Sequence, residues 1–349
     1  MKSGVKKLLN YALIFGTLII VLLISANDQD LGAAFGAMRS IEGKWLVLCT
    51  VAFAGFMMMD ALSIWYFLRR QGYRQVSLGY AVFVSITGLY YCNITPGASG
   101  GQPMQIYYLH KRGVPVGTGT SALVVRFFSF QFMLSVIATV LWIAHGPYIA
   151  EHVGSSMWIM IIGYVYNAVM VSFVVLVSVK KSIVGKVMGF IIRVGHKLHL
   201  IRNPEETRVK WLDVLDTFHD GIMVMKRRPL DFLIQIALGG LQLMSLMTVI
   251  WFVYRGLGLS GAGYGELVAV DVMEYISAAY MPLPGASGAQ EGVFSIYFGR
   301  IFPGDLTLAA LLTWRFFTYY ISLIVGAVVT VGYGIATGTR KKGDAAADQ

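Results

Sequence analysis

The sequence predicts an all-α polytopic membrane protein. Six helices cross the bilayer, and two oppositely oriented re-entrant helical hairpins complete an inverted repeat. Three observations predict this class. Mean hydropathy is +0.66 and only 13% of the 349 residues are charged, about half the share in a soluble domain. Apolar runs long enough to cross a hydrocarbon core of roughly 30 Å recur along the chain. A seven-residue element, rich in Gly and headed by Pro, occurs twice inside those runs, at 96–102 and 284–290.

The elements follow in order. Residues 8–26 come after Lys2, Lys6 and Lys7. The run is long for a signal peptide and lacks a small-x-small cleavage site, so it reads as the first membrane helix. Residues 45–68 form the second span. Residues 76–92 form an apolar run that stops at Asn93-Ile94-Thr95-Pro96-Gly97. A short run, 101–110, then ends at His110-Lys111-Arg112. Residues 119–144 and 157–179 are spans, residues 180–229 are polar and basic, and residues 230–254 span again. Residues 266–283 stop at Pro284-Gly285, and the short run 289–299 ends at Arg300. The last span lies within 306–338, before Arg340-Lys341-Lys342.

Loop charge sets the orientation. The block 180–228 holds eleven Lys/Arg against five Asp/Glu. The N-terminus, the Arg69–Arg74 loop, the Lys111-Arg112 loop and the C-terminus are also basic, whereas 27–44 and 145–156 are neutral to acidic. Placing every basic block in the cytoplasm makes 8–26, 45–68, 119–144, 157–179, 230–254 and 306–338 full crossings. The interrupted pairs 76–110 and 266–299 are then hairpins, the first entering from the cytoplasm and the second from outside. Reading each pair as one broken crossing would put Lys111-Arg112 outside, against the positive-inside rule. The chain is thus expected to sit in the plasma membrane as one domain over 1–349 with cytoplasmic termini. Repeat 1 covers about 45–144, a basic linker 180–229, and repeat 2 about 230–338.

The net charge of +10 does not imply nucleic acid, because the basic residues fall in blocks between apolar runs. Cys49 and Cys92 lie in apolar segments and read as small buried hydrophobes, not as a disulfide or metal framework. Within the linker, Ile183, Val187, Phe190, Ile191, Val194 and Leu198 recur at helical spacing around Lys186, Arg193 and Lys197. That pattern fits a basic amphipathic helix on the anionic inner leaflet, or an ordinary cytoplasmic linker.

The repeat carries the functional signal. Residues 96–102 read Pro-Gly-Ala-Ser-Gly-Gly-Gln and residues 284–290 read Pro-Gly-Ala-Ser-Gly-Ala-Gln. Arg126-Phe127-Phe128 lies thirty residues after Pro96, and Arg315-Phe316-Phe317 thirty-one after Pro284. Matched order and spacing point to an internal duplication, and opposite orientation makes it an inverted repeat of the kind transporters use. Pro lacks a donor and Gly tolerates unusual dihedrals, so each helix must break there. A break survives at membrane depth only where protein or a water-filled cavity covers it.

The short helices from about Gly101 and Ala289 would present their N-termini, and hence free N–H groups, near mid-membrane. Gly97, Ser99, Gly100, Gly101 and Gln102 in the first copy are therefore candidates to bind a phosphate or carboxylate. So are Gly285, Ser287, Gly288, Gln290 and Glu291 in the second. The alternative is a tight hairpin that only shapes the fold.

Arg126, Arg315, Asp60, Asp271, Glu274 and Glu291 lie within or beside apolar segments, where each charge costs at least about 2.5 kcal/mol and must face inward. Guanidinium matches phosphate geometry, so Arg126 and Arg315 could grip a lipid phosphate from the two ends of one path. Asp60, Asp271 and Glu274 would be their charge partners. The alternative is internal salt bridges, Arg315 with Glu291 and Arg126 with Asp60. His196 and His199 lack a third ligand for a metal. The sequon at Asn93 lies inside a membrane segment and precedes Pro96. Tyr90-Tyr91 and Tyr107-Tyr108 read as packing or interfacial residues. No cofactor motif, P-loop or nucleophile elbow is present.

The element at Pro96 with Arg126 downstream, echoed by Pro284-Gly-Ala-Ser-Gly-Ala-Gln-Glu291-Gly with Arg315, resembles the membrane domain of lysylphosphatidylglycerol synthase/flippase. That family is also called multiple peptide resistance factor, and the likeness covers nearly the whole chain. The resemblance implies a flippase-like domain that moves phospholipid, such as aminoacylated phosphatidylglycerol, between leaflets and contributes to antimicrobial peptide resistance. Full-length members carry an aminoacyl-transferase domain after it, which is not expected here. Whether the chain is an enzyme stays open, although the family name allows phosphatidylglycerol lysyltransferase. Gln102 and Gln290 depart from the family pattern at positions often acidic and basic. The expected partners are membrane phospholipid and either a second copy or a separate lipid-modifying enzyme, with no nucleic acid. A polyprenyl-phosphate carrier, a small solute or ion, and lipid modification are the alternative substrates and activities.

Overall fold

A computed structural model describes residues 31–179, 212, 219–220, 222–223, 227–278, 281 and 284–347. All regular structure among them is helical. The expected helices at 8–26 and 183–198, with His196 and His199, lie outside the described residues.

Helix α1 (Leu31–Ser40) is short and α2 (Gly43–Arg70) is long. The 28 residues of α2 rise about 42 Å, more than a bilayer core needs. Arg69 and Arg70 sit in its last turn, where cations suit the dipole. Helix α3 (Leu78–Asn93) starts at Ser77, whose hydroxyl accepts the Tyr80 N–H at 3.2 Å, an ordinary N-cap. Helix α4 (Gly101–Lys111) folds back along α3. The Tyr80 hydroxyl donates to the Tyr108 carbonyl at 2.7 Å, and Gln105 Nε2 donates to the Val84 carbonyl at 3.3 Å. Gly101 abuts Cys92 so closely that a Cβ there would stand 2.1 Å from the sulfur. Residues 80, 84 and 92 thus face 108, 105 and 101, which is the register of an antiparallel hairpin.

Helix α5 (Val116–Val153) runs 38 residues and kinks at His145 (φ −126°) just before Pro147. The expected loop at 145–156 is therefore mostly helix. Pro147 removes one ladder bond, and the helix bends there without stopping. A turn at Gly154–Ser156 leads into α6 (Met157–Val179). Helix α7 (Pro229–Gly256) opens with Pro at its first turn, where no N–H is needed. Next come α8 (Tyr264–Ala278), α9 (Ala289–Phe298), α10 (Gly304–Arg315) and α11 (Ile321–Ala347). A π-helical turn, Phe316–Tyr320, joins the last two. The final expected span is thus divided directly after Arg315, and such bulges favour functional sites.

Four stretches among the described residues are long and apolar enough to cross a membrane: Gly43–Arg70, Val116–Leu176, Pro229–Gly256 and Leu306–Gly334. The second joins α5 and α6. Helix α6 turns Trp158, Ile161, Val165, Val169 and Phe173 outward. In water that face would be an unprotected apolar patch, whereas lipid covers it without cost.

Inside, α7 packs along α2 and α5. A Cβ on Gly239 would stand 2.6 Å from the Ser129 backbone, so two helix backbones nearly touch. The larger core joins Leu243 and Ile250 of α7 with Val268 and Val272 of α8, Phe294 of α9 and Trp314 of α10. A second core, with Ile64, Phe67, Val84, Leu109 and Leu123, locks the α3–α4 hairpin onto α2 and α5. Helix α8 is buried along most of its length, so Asp271 and Glu274 lie in the protein interior, while Glu266 in its first turn is half-buried.

Candidate functional site

The two Pro-Gly-Ala turns adopt the same backbone. Gly97 has φ +59° and Ala98 φ +53°; Gly285 has φ +57° and Ala286 φ +49°. Alanine in the left-handed region costs about 1–2 kcal/mol. The same cost taken twice, at matched positions, extends the duplication from sequence to conformation.

The turns lie against each other. Asn93, at the end of α3, donates through Nδ2 to Ser322 Oγ at 2.7 Å. Its carbonyl accepts the Tyr319 hydroxyl at 3.3 Å. The Tyr319 ring lies over Gly285, where a Cβ would fall 2.0 Å from the ring. Glycine is therefore needed at 285 for its absent side chain as well as its dihedral.

Around the first turn, α5 supplies Arg126, which pairs with Asp60 of α2. Asp60 Oδ1 also accepts Gln242 Nε2 at 2.9 Å, and Oδ2 accepts the Ser85 hydroxyl at 2.6 Å. One carboxylate thus joins four helices. It borders a cavity of about 160 Å³ lined by Ser85, Gln105, Arg126, Gln242 and Tyr275 among others. Arg126 Nε is buried and has no hydrogen-bond partner among the described residues. An apolar groove of about 280 Å³ adjoins the cavity, lined by Phe53, Met58, Val82, Ile86, Ile321 and Val325. Met57 and Leu89 line both.

Around the second turn the pattern differs. Arg315 Nε pairs with Glu291 Oε1 at 2.7 Å, Nη1 donates to Gln290 Oε1, and Nη2 reaches the Gly285 carbonyl at 3.4 Å. Its guanidinium also stands 4.7 Å from the Tyr319 ring centre, within cation–π range. Glu291 Oε2 accepts the Gly288 N–H at 2.6 Å, so α9 caps its own N-terminus. Arg315 is held by its own repeat element, whereas Arg126 reaches out to α2. The cause is in the sequence, because Pro103 occupies the position in the first copy that Glu291 occupies in the second.

Not every candidate converges. Gly97, Ser99 and Gln102 are exposed and lie outside the Arg126 cavity. Ser99 turns its hydroxyl to the Pro96 carbonyl at 2.9 Å. Half-buried Gly100 gives its N–H to Thr95 Oγ1 at 2.8 Å, and Gly101 is buried against Cys92. In the second copy Ser287 is buried near the Tyr319 hydroxyl, while Gly288 is exposed. Asp271 and Glu274 are fully buried and form no ion pair; all four carboxylate oxygens lack a partner among the described residues. No group of three His, Cys, Asp or Glu residues there is placed to hold a metal.

The sequence argument did not single out Ser85, Gln105, Gln242 or Tyr275. Gln242 could have been found, since an amide inside the apolar run 230–254 must face a partner. Ser85 and Tyr275 carry no such signal, because helices hold serine by bonding it to their own carbonyls and tyrosine packs as a hydrophobe.

Among curated proteins, no sequence matches the chain. The family model described as the lysylphosphatidylglycerol synthase TM region matches residues 8–326. That match takes in both Pro-Gly-Ala turns, both buried arginines and every acid around them. The chain is a multi-pass membrane protein that belongs to the lysylphosphatidylglycerol synthase transmembrane-region family.

Proposed function

We propose that this protein moves phospholipid between the leaflets of the plasma membrane, with an anionic or aminoacylated phospholipid such as lysylphosphatidylglycerol as substrate. The observation that carries the reading is the junction at Met57 and Leu89, where a polar cavity holding Arg126 meets an apolar groove. A phosphate and an acyl chain need those two environments side by side. Arg126 borders that cavity and its buried Nε has no partner among the described residues. A turn of the guanidinium would offer it to the phosphate, and guanidinium–phosphate pairing is strong where water is scarce. Thr50, Met58 and Val325 along the groove are exposed, which suits access from lipid better than a closed pocket for a small solute.

The family places the chain in lysylphosphatidylglycerol biosynthesis or transport at the membrane, and translocation fits the site better than lipid modification. The Ser85 hydroxyl donates to Asp60 at 2.6 Å, but that carboxylate is engaged by Arg126 and Gln242 and so is a poor base for activating a nucleophile. The two hairpins are read as re-entrant from opposite faces, with cytoplasmic termini, on the loop charges. A second copy or a separate lipid-modifying enzyme would supply or share the substrate.

The test is leaflet exchange of labelled phospholipids in proteoliposomes, comparing the wild type with Arg126→Ala and Arg315→Ala. Exchange well above protein-free vesicles, and at least about tenfold slower in Arg126→Ala, is expected; losing a charge-assisted contact of about 1.5 kcal/mol or more gives that factor. Exchange at the protein-free rate across several headgroups would overturn the function. Unchanged rates in both variants would overturn the site.

A further inference from the structure

We propose that Glu274, with Asp271 one turn away, is a proton-exchange site that couples this protein's lipid movement to a transmembrane proton gradient. The inference rests on the translocation reading above.

The described residues contain five buried carboxylates. Asp60, Asp231 and Glu291 each meet an arginine and further donors. Glu274 and Asp271, at 0% and 1% exposure, meet none, and their four oxygens are buried without a hydrogen-bond partner among the described residues. A spacing of three residues puts both on one face of α8. An isolated carboxylate in such surroundings is costly to keep ionised, and the proposed form of both side chains in this conformation is the carboxylic acid.

The surroundings supply a way to release that proton. The fields that reach Glu274 come from Asp271 on its own helix, Arg315 at the end of α10 and Glu291 on α9. Arg315 is here neutralised by Glu291. When Arg315 turns from Glu291 toward Glu274 and α8 shifts to admit water, the carboxyl O–H bond breaks, its electron pair stays on the carboxylate, and the proton passes to that entering water. Return of Arg315 to Glu291 reverses the step. The other helices against α8 carry few competing charges. Helix α5 brings Arg126, whose field reaches Tyr275, and His145, which abuts Gly265 near the helix start. Helix α7 has Asp231 and Arg255 near its ends and the Tyr254 hydroxyl; α6 offers only the hydroxyls of Tyr164 and Tyr166, and α9 adds Tyr297, whose hydroxyl is bonded to Ser277 at 2.9 Å. The residue after Glu274, Tyr275, lines the Arg126 cavity, so one displacement of α8 alters both arginine sites.

Two measurements test the proposal. Infrared spectroscopy of the purified full chain at neutral pH should show a protonated-carboxyl C=O band that weakens in Glu274→Gln and again in Asp271→Asn. Net lipid movement in proteoliposomes should then respond to an imposed gradient of about one pH unit, a tenfold ratio of proton activity, by about threefold or more. In Glu274→Gln that response should vanish while ungated exchange persists. Exchange that ignores the gradient in the wild type, or a carboxyl band unchanged in both variants, overturns the proton site and leaves the translocation reading standing. A variant band with no lipid exchange in the wild type overturns the coupling together with that reading.

Discussion

Neutralising Asp60 should destabilise the protein, and neutralising Arg126 with it should add little further loss. In Asp60→Asn the fold keeps its shape but Arg126 loses its counter-charge, and the new amide meets two donors, Gln242 Nε2 and the Ser85 hydroxyl. Breaking one partner of a buried pair costs about 3–5 kcal/mol. The Arg126 side chain keeps 19% exposure against 3% for Asp60, so the lower end, about 3 kcal/mol, is expected. Arg126→Gln should cost about the same, because it strands the more deeply buried carboxylate. The double variant carries no unpaired charge and should lose only about 3–4 kcal/mol in all, a coupling of about 2–3 kcal/mol. Reversible denaturation in mixed micelles measures all four corners of the cycle. Additive losses, with coupling below about 0.5 kcal/mol, would refute the claim that the pair is one energetic unit. The stable double variant also separates structure from function. It should fold yet exchange lipid slowly, and wild-type exchange from it would remove Arg126 from the substrate path.

Two further contrasts use the difference between the repeats. Gly97→Ala meets no atom within 4 Å and should cost only the left-handed alanine strain of about 1–2 kcal/mol, whereas Gly285→Ala also drives into Tyr319 at 2.0 Å and should cost about 2 kcal/mol more. Equal losses in thermal unfolding would rule out the close approach. Gln290→Ala should cost about 1.5–3 kcal/mol through its bond to charged Arg315, while exposed Gln102→Ala should stay within about 0.5 kcal/mol; a reversed order would contradict the geometry.

How much of this was legible from the chain depended on the physics of each signal. The helix breaks at Pro96 and Pro284 were legible because Pro and Gly act locally, and the short helices begin at Gly101 and Ala289 as the breaks imply. Both ion pairs offered as the structural alternative are formed, since charges in apolar segments have few partners to choose from. That Asp271 and Glu274 find no partner among the described residues is a tertiary fact with no local trace. The helix through 145–153 was missed because the polar, neutral-to-acidic stretch 145–156 reads as a loop between spans, whereas the chain only kinks there. The division of the last span by a π-turn after Arg315 was missed as well, because one extra residue per turn leaves hydropathy unchanged.

The difference between the copies bears on mechanism more than their likeness does. Arg315 is satisfied within its own repeat by Glu291, Gln290 and the Gly285 carbonyl. To bind a phosphate it must break those three contacts. Arg126 has a free N–H beside a cavity and is anchored by a carboxylate from a neighbouring helix. On the proposed reading, the first site is the one that takes the anion in this conformation and the second is closed. Because the Tyr319 hydroxyl bonds the Asn93 carbonyl beside one turn while its ring covers Gly285 in the other, the two turns cannot move independently. Opening the second site must displace Tyr319 and so disturb the end of α3, which lines the first. Two arginine sites joined through one shared side chain cannot both relax freely, and the proposed translocation would use that linkage for alternating access.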